Sequence, residues 1–264
     1  MRLEPYLAYA RKSFLARSAY RFDHLMGILN TVLRVFIYWE IYRALYGART
    51  EVDGITLMMV ATSFVLSLCM EAVFRVNDFF IPDMIRDGSI ANELLRPIGI
   101  QGRMIAENMG NALFELVFRF VPALFVSFLF VGILKPAGGC MLLLFVFSAL
   151  LGYGVLWTIS FATQMLSFWF INVWSIVTIK NVCINVLSGS MIPLWFMPDW
   201  MNGVVRYTPF SSIYFTPVQI YLGQLTWQEI LEKCLIQIFW IGLLFMFGNW
   251  LWHKGQKKLV VQGG

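Results

Sequence analysis

Charged residues are scarce in this chain. Asp, Glu, Lys and Arg make up 13% of its 264 residues, whereas a soluble domain has about 25%. A surface that faces water cannot be built from so few charges, and 59% of the residues are hydrophobic. The composition therefore excludes a soluble enzyme, a disordered tail and a secreted disulfide scaffold, and it places the chain in a lipid bilayer.

The motifs of catalysis, nucleotide binding and metal binding are also missing from the sequence. The four cysteines lie far apart, with no CxxC spacing and no neighbouring His, which is typical of small buried side chains. We find no GxxxxGK[ST] phosphate loop, no HExxH, no GxSxG and no paired catalytic carboxylates. The net charge of +5 comes without basic blocks that alternate with aromatic residues. We therefore expect no catalytic residue, no metal site, no bound cofactor and no nucleic-acid partner.

Long apolar runs recur along the chain, and in lipid such runs can satisfy their backbone polar groups only as helices. The sequence therefore predicts an all-α integral membrane protein in which residues 1–264 form a single transmembrane domain. Each predicted span is close to the roughly 20 residues that cross about 30 Å of hydrocarbon. The six spans cover residues 25–46, 55–76, 107–134, 140–163, 168–192 and 229–252.

The distribution of Lys and Arg predicts the orientation of these spans. With a cytoplasmic N-terminus, most of the cations in the flanks of the spans lie inside, which is the arrangement that membrane insertion favours. The outer side then carries only Arg43, Arg49, Lys135 and Arg206. We therefore expect a multi-pass protein with both termini in the cytoplasm, which requires an even number of spans.

The N-terminal segment, residues 1–23, is predicted to be an amphipathic helix at the membrane interface. Leu3, Leu7, Ala10 and Phe14 form one helical stripe, and basic side chains are placed to contact anionic lipid head groups. A solvated leader is the alternative.

A long connection on the cytoplasmic side, residues 77–106, contains a second predicted helix. Ser89 is placed as its N-cap, Glu93 lies in its first turn and Pro97 ends it. The charged and polar residues available to another protein are Arg86, Asp87, Asn92, Glu93 and Arg96. An ordinary solvated loop is the alternative.

The second long connection, with its core at residues 193–226, is rich in aromatic residues and proline. It is too apolar to stand free in water and too interrupted to span, so we expect two short helices that enter the outer leaflet and cap a pathway or an interface. The residues that carry this interpretation are Pro193, Trp195, Phe196, Pro198, Trp200, Pro209, Phe210, Tyr214 and Pro217.

Charges inside the predicted spans are costly and are therefore candidates for a functional role. Glu71 and Arg75 stand four residues apart, as do Glu115 and Arg119, so each pair can meet on one helical face. Lys180 has no such helical partner. Whether these charges are structural or functional remains open from the sequence.

Three segments together resemble the membrane permeases of the type-two ABC exporter class, in particular the bacterial permeases that work with a separate ATPase subunit. They are GSIANELLRPIGIQGRMIAEN at 88–108, LSGSMIPLWFMPDWM at 187–201 and TPFSSIYFTPVQIYLG at 208–223, and the C-terminal KGQKKLVVQGG also fits. The resemblance covers essentially the whole chain.

The resemblance implies that residues 86–97 form the coupling helix that docks on the ATPase, and that the segment between spans five and six forms re-entrant helices near an outer gate. The second and fifth spans would face a partner permease, identical or paralogous, across the translocation path. The path candidates are Thr62, Ser63, Ser67, Asn181, Asn185 and Ser188.

The implied mechanism is alternating access in a permease dimer of the bacterial inner membrane. ATP and magnesium would bind to the partner ATPase, and the cargo would be an amphipathic small molecule, drug, lipid-like compound or peptide. The alternative is an ion-coupled secondary transporter or channel that uses Glu71, Glu115, Arg119 or Lys180 as relay charges. A receptor or scaffold subunit is a weaker interpretation, because no sizeable domain is predicted outside the membrane.

Overall fold

Helices make up most of the chain in the computed structural model, which describes residues 3–19, 21–96, 98–170 and 172–258. The α-helices in these ranges are α1 (Glu4–Ser18), α2 (Arg21–Tyr46), α3 (Leu57–Val73), α4 (Phe80–Arg86), α5 (Ile90–Leu94), α6 (Ile100–Glu115), α7 (Val121–Phe130), α8 (Gly139–Met165), α9 (Trp174–Leu187), α10 (Asp199–Val205), α11 (Phe215–Tyr221) and α12 (Trp227–Gln256). Strands β1 (Glu51–Val52) and β2 (Ile55–Thr56) form a small hairpin between α2 and α3.

Four helical stretches in the described residues are long and apolar enough to cross a membrane. They are Phe22–Tyr46, Ile100–Phe130, Gly139–Phe168 and Trp227–Gln256. This confirms the prediction of an all-α membrane protein. The shorter apolar helices α3 and α9, of 17 and 14 residues, lie where the sequence predicted the second and fifth spans.

The fifth predicted span, 168–192, is helical over a shorter stretch than expected. Helix α9 begins at Trp174 and ends at Leu187, and Gly189 follows with a φ of 77°. This left-handed conformation is accessible to glycine at little cost, and it is typical of the residues that end a helix. At about 1.5 Å per residue, α9 is about 21 Å long and does not cover the full hydrocarbon thickness.

The helical stretch from α6 to α7 is distorted next to the proline in it. Residues Leu116–Phe120 form a π-helical turn, and Pro122 lies in the first turn of α7. Proline has no N–H and its ring clashes with the preceding turn, so the regular hydrogen-bond register cannot continue through it. The distortion expected from Pro122 is therefore present as a π turn.

Helix α3 lies at the centre of the molecule, with 13 of its 17 residues buried. It packs against α2 and α7 through a cluster that includes Val35, Phe64 and Ala123. Helices α8 and α12 form a second pair, which is closely packed because Gly248 of α12 lies against the ring of Phe161. The connections between α3 and α6 and between α9 and α12, described below, pack against these two groups of helices.

Helix α1 confirms the predicted N-terminal helix, but its apolar stripe is divided. Ala10 and Phe14 pack on α6, where a Cβ at Gly110 would lie 2.1 Å from the Ala10 carbonyl oxygen and Phe14 contacts Phe114 edge-on at 5.3 Å. Leu3 and Leu7 are exposed instead. The predicted single membrane-facing stripe is therefore wrong, because the same helix must also present a face to α6.

Candidate functional site

The connection between α3 and α6, residues 74–99, folds into the two short helices α4 and α5. Gly88 separates them with a φ of 75°, which glycine adopts readily. The predicted helix after Ser89 is present, although the Ser89 hydroxyl donates to Asp87 at 2.6 Å and caps no backbone N–H. Hydrogen bonds from the Ser89 hydroxyl and backbone N–H hold the pKa of Asp87 below its ordinary value.

The α3–α6 connection is anchored to the ends of two long helices. Ile81 of α4 and Ile90 of α5 are buried in one cluster with Trp157 of α8 and Leu251 of α12. The backbone N–H of Ile81 also donates to the Gln164 side chain at 3.2 Å. Helices α4 and α5 are therefore packed directly on α8 and α12.

Glu93, which the sequence placed at an exposed surface, is only 9% exposed. Its carboxylate pairs with Arg103 at 2.5 Å and with Arg96 at 3.1 Å. Arg103 also pairs with Glu107 at 2.7 Å, and its guanidinium lies 5.0 Å from the centre of the Tyr9 ring. The expectation of an exposed Glu93 is wrong, because this residue pairs with Arg103 of α6, which in turn lies against Tyr9 of α1.

The other predicted contact residues of the connection remain at the surface. Arg86, Asp87 and Asn92 are exposed, Ser89 is half-buried, and Arg96 is exposed while its guanidinium donates to the Tyr9 hydroxyl at 3.1 Å. Pro97 lies outside the described residues. Leu95, in the same connection, has 84% of its surface exposed. Leu94, the preceding residue, is also 42% exposed, so two adjacent leucines are exposed at the end of α5.

Glu71 does not pair with Arg75 in the structure. Helix α3 ends at Val73, so Arg75 leaves the helical face and is exposed. Glu71 instead accepts hydrogen bonds from both terminal nitrogens of Arg34 on α2, at 2.8 and 3.0 Å. The predicted i,i+4 pair is therefore wrong, and the charge is neutralised between two helices.

Glu115 and Arg119 are paired as the spacing predicted, with Nη1 and Oε2 separated by 3.8 Å. Both side chains are buried, and Arg17 of α1 lies 3.9 Å from the other carboxylate oxygen. The guanidinium of Arg119 lies against Gly27 of α2, where a Cβ would be 2.8 Å from its Cζ. The pair lies beside the π turn and joins α1, α2 and α6.

Lys180 of α9 has its partner outside any helix. Its ammonium group pairs with Asp78 of the α3–α6 connection at 2.5 Å and donates to Ser160 of α8 at 3.0 Å. Because Lys180 and Asp78 are 102 positions apart, no local spacing in the sequence indicates this pair. It attaches the connection to both α8 and α9.

The predicted path residues fall into two groups. Thr62, Ser63 and Ser67 of α3 are 0% exposed, so they lie inside the protomer and line no surface of it. Ser188 is buried as well, whereas Asn181 and Asn185 are exposed on α9. Of the six residues, only these two asparagines lie on an accessible helix face.

The connection between α9 and α12, residues 188–226, contains the two short helices that the sequence predicted, α10 and α11. Its first part is largely exposed at Phe196, Pro198 and Trp200, with Trp195 half-buried and Pro193 buried. Its second part is inside the protein. The residues of that part from the predicted gate set are Pro209, Phe210, Tyr214 and Pro217, of which Phe210 is half-buried and the others are buried.

The buried non-helical backbone before α11 is satisfied by a glutamine that the sequence analysis did not single out. Gln237 of α12 is fully buried and donates to the carbonyl oxygens of Ser212 at 2.8 Å and Ser148 at 3.0 Å. The Ser148 hydroxyl donates to the Gln237 side-chain oxygen at 3.1 Å. Gln237 is a polar residue in the middle of a predicted span, and this feature of the sequence would have identified it as a candidate.

The chain has several long apolar helices, internal ion pairs between them and a structured connection anchored at their ends. These features define a polytopic membrane protein. A family model described as ABC-2 family transporter protein matches residues 29–263 of the chain. The chain therefore belongs to the ABC-2 transporter family, and the resemblance seen in the sequence is confirmed. Membership implies an ABC transporter that works with an ATPase partner. A comparison with curated proteins found no match.

Proposed function

We propose that this chain is the permease subunit of an ATP-driven exporter of the bacterial inner membrane. It works as a dimer with a second permease and moves an amphipathic small molecule, drug, lipid-like compound or peptide by alternating access. In this proposal the shorter helices α3 and α9 complete six spans together with α2, α6 with α7, α8 and α12, and both termini lie in the cytoplasm. The chain forms the pathway, and a partner ATPase binds ATP and magnesium and hydrolyses the nucleotide.

The exposed edge of the α3–α6 connection carries this proposal. Leu95 is 84% exposed, and Arg86, Asp87 and Asn92 of the same connection are exposed as well. An apolar group within a polar rim is the composition of a protein contact, because it gains from burial while the rim sets the orientation. We assign this edge to the ATPase.

The internal attachments of the same connection support a role in transmitting movement. Ile81 and Ile90 pack on α8 and α12, while Glu93 is tied to α6 through Arg103. A displacement of α5 by the closing ATPase would therefore reach three long helices through direct contacts. Glu93 and Arg96 take part in this transmission from the inside, and Arg86, Asp87, Asn92 and Leu95 form the contact.

The exposed face of α9 supports a second permease. Thr178, Asn181 and Asn185 are exposed and lie at spacings of three and four residues, so they share one face. Polar side chains are rarely exposed to lipid in membrane helices, and they are more often placed at helix contacts or along a wet path. We assign this face to the partner permease and to the pathway between the two subunits.

The ion pairs within the helices favour a permease driven by ATP over an ion-coupled transporter. Glu71 is bound in a two-bond pair with Arg34, and Lys180 is bound to Asp78 and Ser160. A relay charge must change its protonation state or its partner during transport, and both pairs oppose such a change. We therefore assign these charges to structure.

Affinity purification of the tagged chain in mild detergent tests the ATPase contact. We expect an ATPase subunit to be recovered with the intact chain and its recovery to fall at least tenfold with Leu95→Ser, while the yield of the chain stays the same. Val204→Ser is the matched control, since Val204 is an exposed apolar residue of α10 on the opposite side of the proposed membrane. Equal recovery with both variants, or no ATPase with the intact chain, contradicts the assignment.

Cysteine cross-linking in native membranes tests the α9 interface. In a Cys140→Ser, Cys183→Ser background we expect Asn185→Cys to form a disulfide-linked or bismaleimide-linked dimer, whose second chain is identified by mass spectrometry. The control is Leu231→Cys on the exposed side of α12. A monomer at Asn185→Cys, or a dimer of equal yield at Leu231→Cys, contradicts the assignment.

A further inference from the structure

Three exposed lysines lie at the C-terminal end of α12. Lys254, Lys257 and Lys258 are exposed, whereas Leu251 in the same part of the helix is buried against its neighbours. No Asp or Glu occurs in residues 233–264. Within the part of the chain that the structure describes, none of the three ammonium groups pairs with a carboxylate. These three lysines, the basic end of α12, therefore carry a charge that the described residues do not compensate.

Two tryptophan rings contact the basic end of α12. The ammonium group of Lys254 lies 4.0 Å from the centre of the Trp250 ring, and that of Lys258 lies 5.6 Å from the centre of the Trp169 ring. Trp169 comes shortly after the end of α8, so a second segment contributes to this surface. A ring contacts an ammonium group on one side only, which leaves N–H donors of both lysines available to a further partner. Since tryptophan is enriched at the boundary between hydrocarbon and head groups, the rings place these donors at head-group depth.

The same face of α12 is apolar over the depth of one leaflet. Leu243, Phe247 and Trp250 are exposed and follow one another at spacings of four and three residues, and Lys254 continues the series. The rings of Phe247 and Trp250 stack with their centres 5.9 Å apart. From Leu243 to Lys254 the helix rises by about 16 Å, which is close to half of the roughly 30 Å of hydrocarbon. The face therefore offers an apolar contact along one acyl chain and a cationic contact at its head.

An anionic phospholipid matches both parts of this face. Its phosphodiester is negatively charged and accepts hydrogen bonds from ammonium groups, while its acyl chains contact the apolar part. The head group of phosphatidylethanolamine adds an ammonium group, which the lysines repel. Each lysine near an anionic membrane surface contributes about fivefold to the affinity, so three lysines favour the anionic lipid. An acidic protein in the aqueous phase would meet the lysines but not Leu243 and Phe247, which lie at hydrocarbon depth.

We infer that the basic end of α12 binds the head group of an anionic phospholipid, whose acyl chains lie along Leu243, Phe247 and Trp250. The phosphate accepts hydrogen bonds from Lys254 and from the lysines that follow it. In the orientation proposed above, the lipid belongs to the inner leaflet. This binding depends on the membrane location of the chain and on no step of transport.

Photolabelling of the intact chain in lipid nanodiscs tests this inference. The discs contain phosphatidylglycerol and phosphatidylethanolamine in equal amounts, with a trace of one lipid or the other carrying a diazirine in the same acyl chain. Mass spectrometry of the labelled peptides gives the ratio of labelling by the glycerol probe to labelling by the ethanolamine probe. The reference is residues 143–150 of α8, where Leu143, Phe147 and Leu150 are exposed and the helix has no Lys or Arg. Both leaflets of a disc have the same composition and no ATPase or cargo is present, so the result depends neither on the proposed orientation nor on the proposed function.

We expect this ratio to be at least about fivefold higher at residues 243–254 than at residues 143–150. Lys254→Gln, Lys257→Gln and Lys258→Gln combined should lower it to the reference value. The same three positions changed to Arg should keep the ratio high, because the charge and the hydrogen-bond donors are retained. All three side chains are exposed, so the substitutions should leave the fold intact.

A second triple variant separates a site on α12 from a general attraction of anionic lipid to a cationic protein. Arg11→Gln, Lys12→Gln and Lys135→Gln combined remove the same charge at other exposed positions. We expect this variant to leave the ratio at residues 243–254 unchanged.

Equal ratios at residues 243–254 and 143–150 in the unaltered chain would overturn the inference. A preference that persists without the three lysines of α12, or that falls as far in the control variant, would show that the net charge of the chain attracts the lipid and would contradict a site on α12. If the loss of these lysines instead lowered the recovery of an ATPase and left the labelling ratio unchanged, the surface would belong to an acidic protein and not to a lipid.

Discussion

Glu71 of α3 accepts two parallel hydrogen bonds from the guanidinium of Arg34 on α2, at 2.8 and 3.0 Å. This two-bond geometry is the strongest that a carboxylate and an arginine form. It neutralises two charges where lipid surroundings penalise them, and it attaches the most polar spanning helix to the buried centre of the protein. The pair therefore explains how a helix with Arg34 in its middle is accommodated.

A double-mutant cycle should assign the partner of Glu71. We expect Arg34→Met and Glu71→Gln each to lower the free energy of unfolding by about 2 kcal/mol, with a coupling energy of at least about 1 kcal/mol between them. Arg75→Gln is the control, because Arg75 is the partner that spacing alone predicts. Its coupling with Glu71→Gln should stay below about 0.5 kcal/mol. A larger coupling to Arg75 than to Arg34, measured by denaturation in mixed micelles, contradicts the observed pairing.

The buried pair of Lys180 and Asp78 should be more sensitive than any pair at the surface. Lys180→Met leaves the Asp78 carboxylate, 12% exposed, without its cation, and we expect a loss of about 3–5 kcal/mol in unfolding free energy. Adding Asp78→Asn should recover much of the loss, because no uncompensated charge then remains. Asp83→Asn breaks the exposed pair with Arg86 and should cost no more than about 1 kcal/mol.

The idea of a buried Lys180 pair is contradicted if Lys180→Met and Asp83→Asn cost the same, or if Asp78→Asn gives no recovery. The free energies of unfolding of all these variants come from the same denaturation measurement. The neutral variant Lys180→Met also removes the donor to Ser160, so the recovered fraction will be below the full loss.

The broad architecture could be predicted from the sequence because it depends on local properties. The apolar runs predicted membrane helices, Ser89 and Glu93 predicted the short helix Ile90–Leu94, and the prolines of residues 193–226 predicted two short helices. Glu115 and Arg119 were paired correctly because both partners lie on one helical stretch. Each of these features is decided within a few residues of the chain.

The features that the sequence did not predict depend on contacts between distant segments. Arg34 meets Glu71, and Asp78 meets Lys180, only once the helices are packed. The burial of Glu93 depends on Arg103 and on the position of α1, which no spacing in the chain specifies. Helices α3 and α9 are shorter than the predicted spans 55–76 and 168–192, because hydropathy does not indicate where a helix ends inside a protein.

Gln237 should be essential for the packing of the segment before α11. Gln237→Leu leaves the buried carbonyl of Ser212 without its donor, and we expect a loss of about 2–3 kcal/mol in unfolding free energy. Gln228→Leu is the matched control, since Gln228 is exposed on the same helix and should change stability by no more than about 0.5 kcal/mol. Equal effects of the two variants would show that the hydrogen bonds of Gln237 do not hold this segment.

The contact between α1 and α6 requires the absence of a side chain at Gly110. A Cβ there would lie 2.1 Å from the backbone oxygen of Ala10, and neither helix backbone can yield without separating the two. We expect Gly110→Ala to weaken the docking of α1 by about 1–3 kcal/mol and so to raise the population of the undocked state by about tenfold or more. Trypsin cleavage after the exposed Arg11 and Lys12 should accelerate by a similar factor, since cleavage requires the local opening of the helix.

Gly242→Ala, in a helical position with open space around it, should leave the cleavage rate unchanged. If Gly110→Ala digests no faster than Gly242→Ala, α1 is held by its side chains and the close approach of the two backbones contributes nothing.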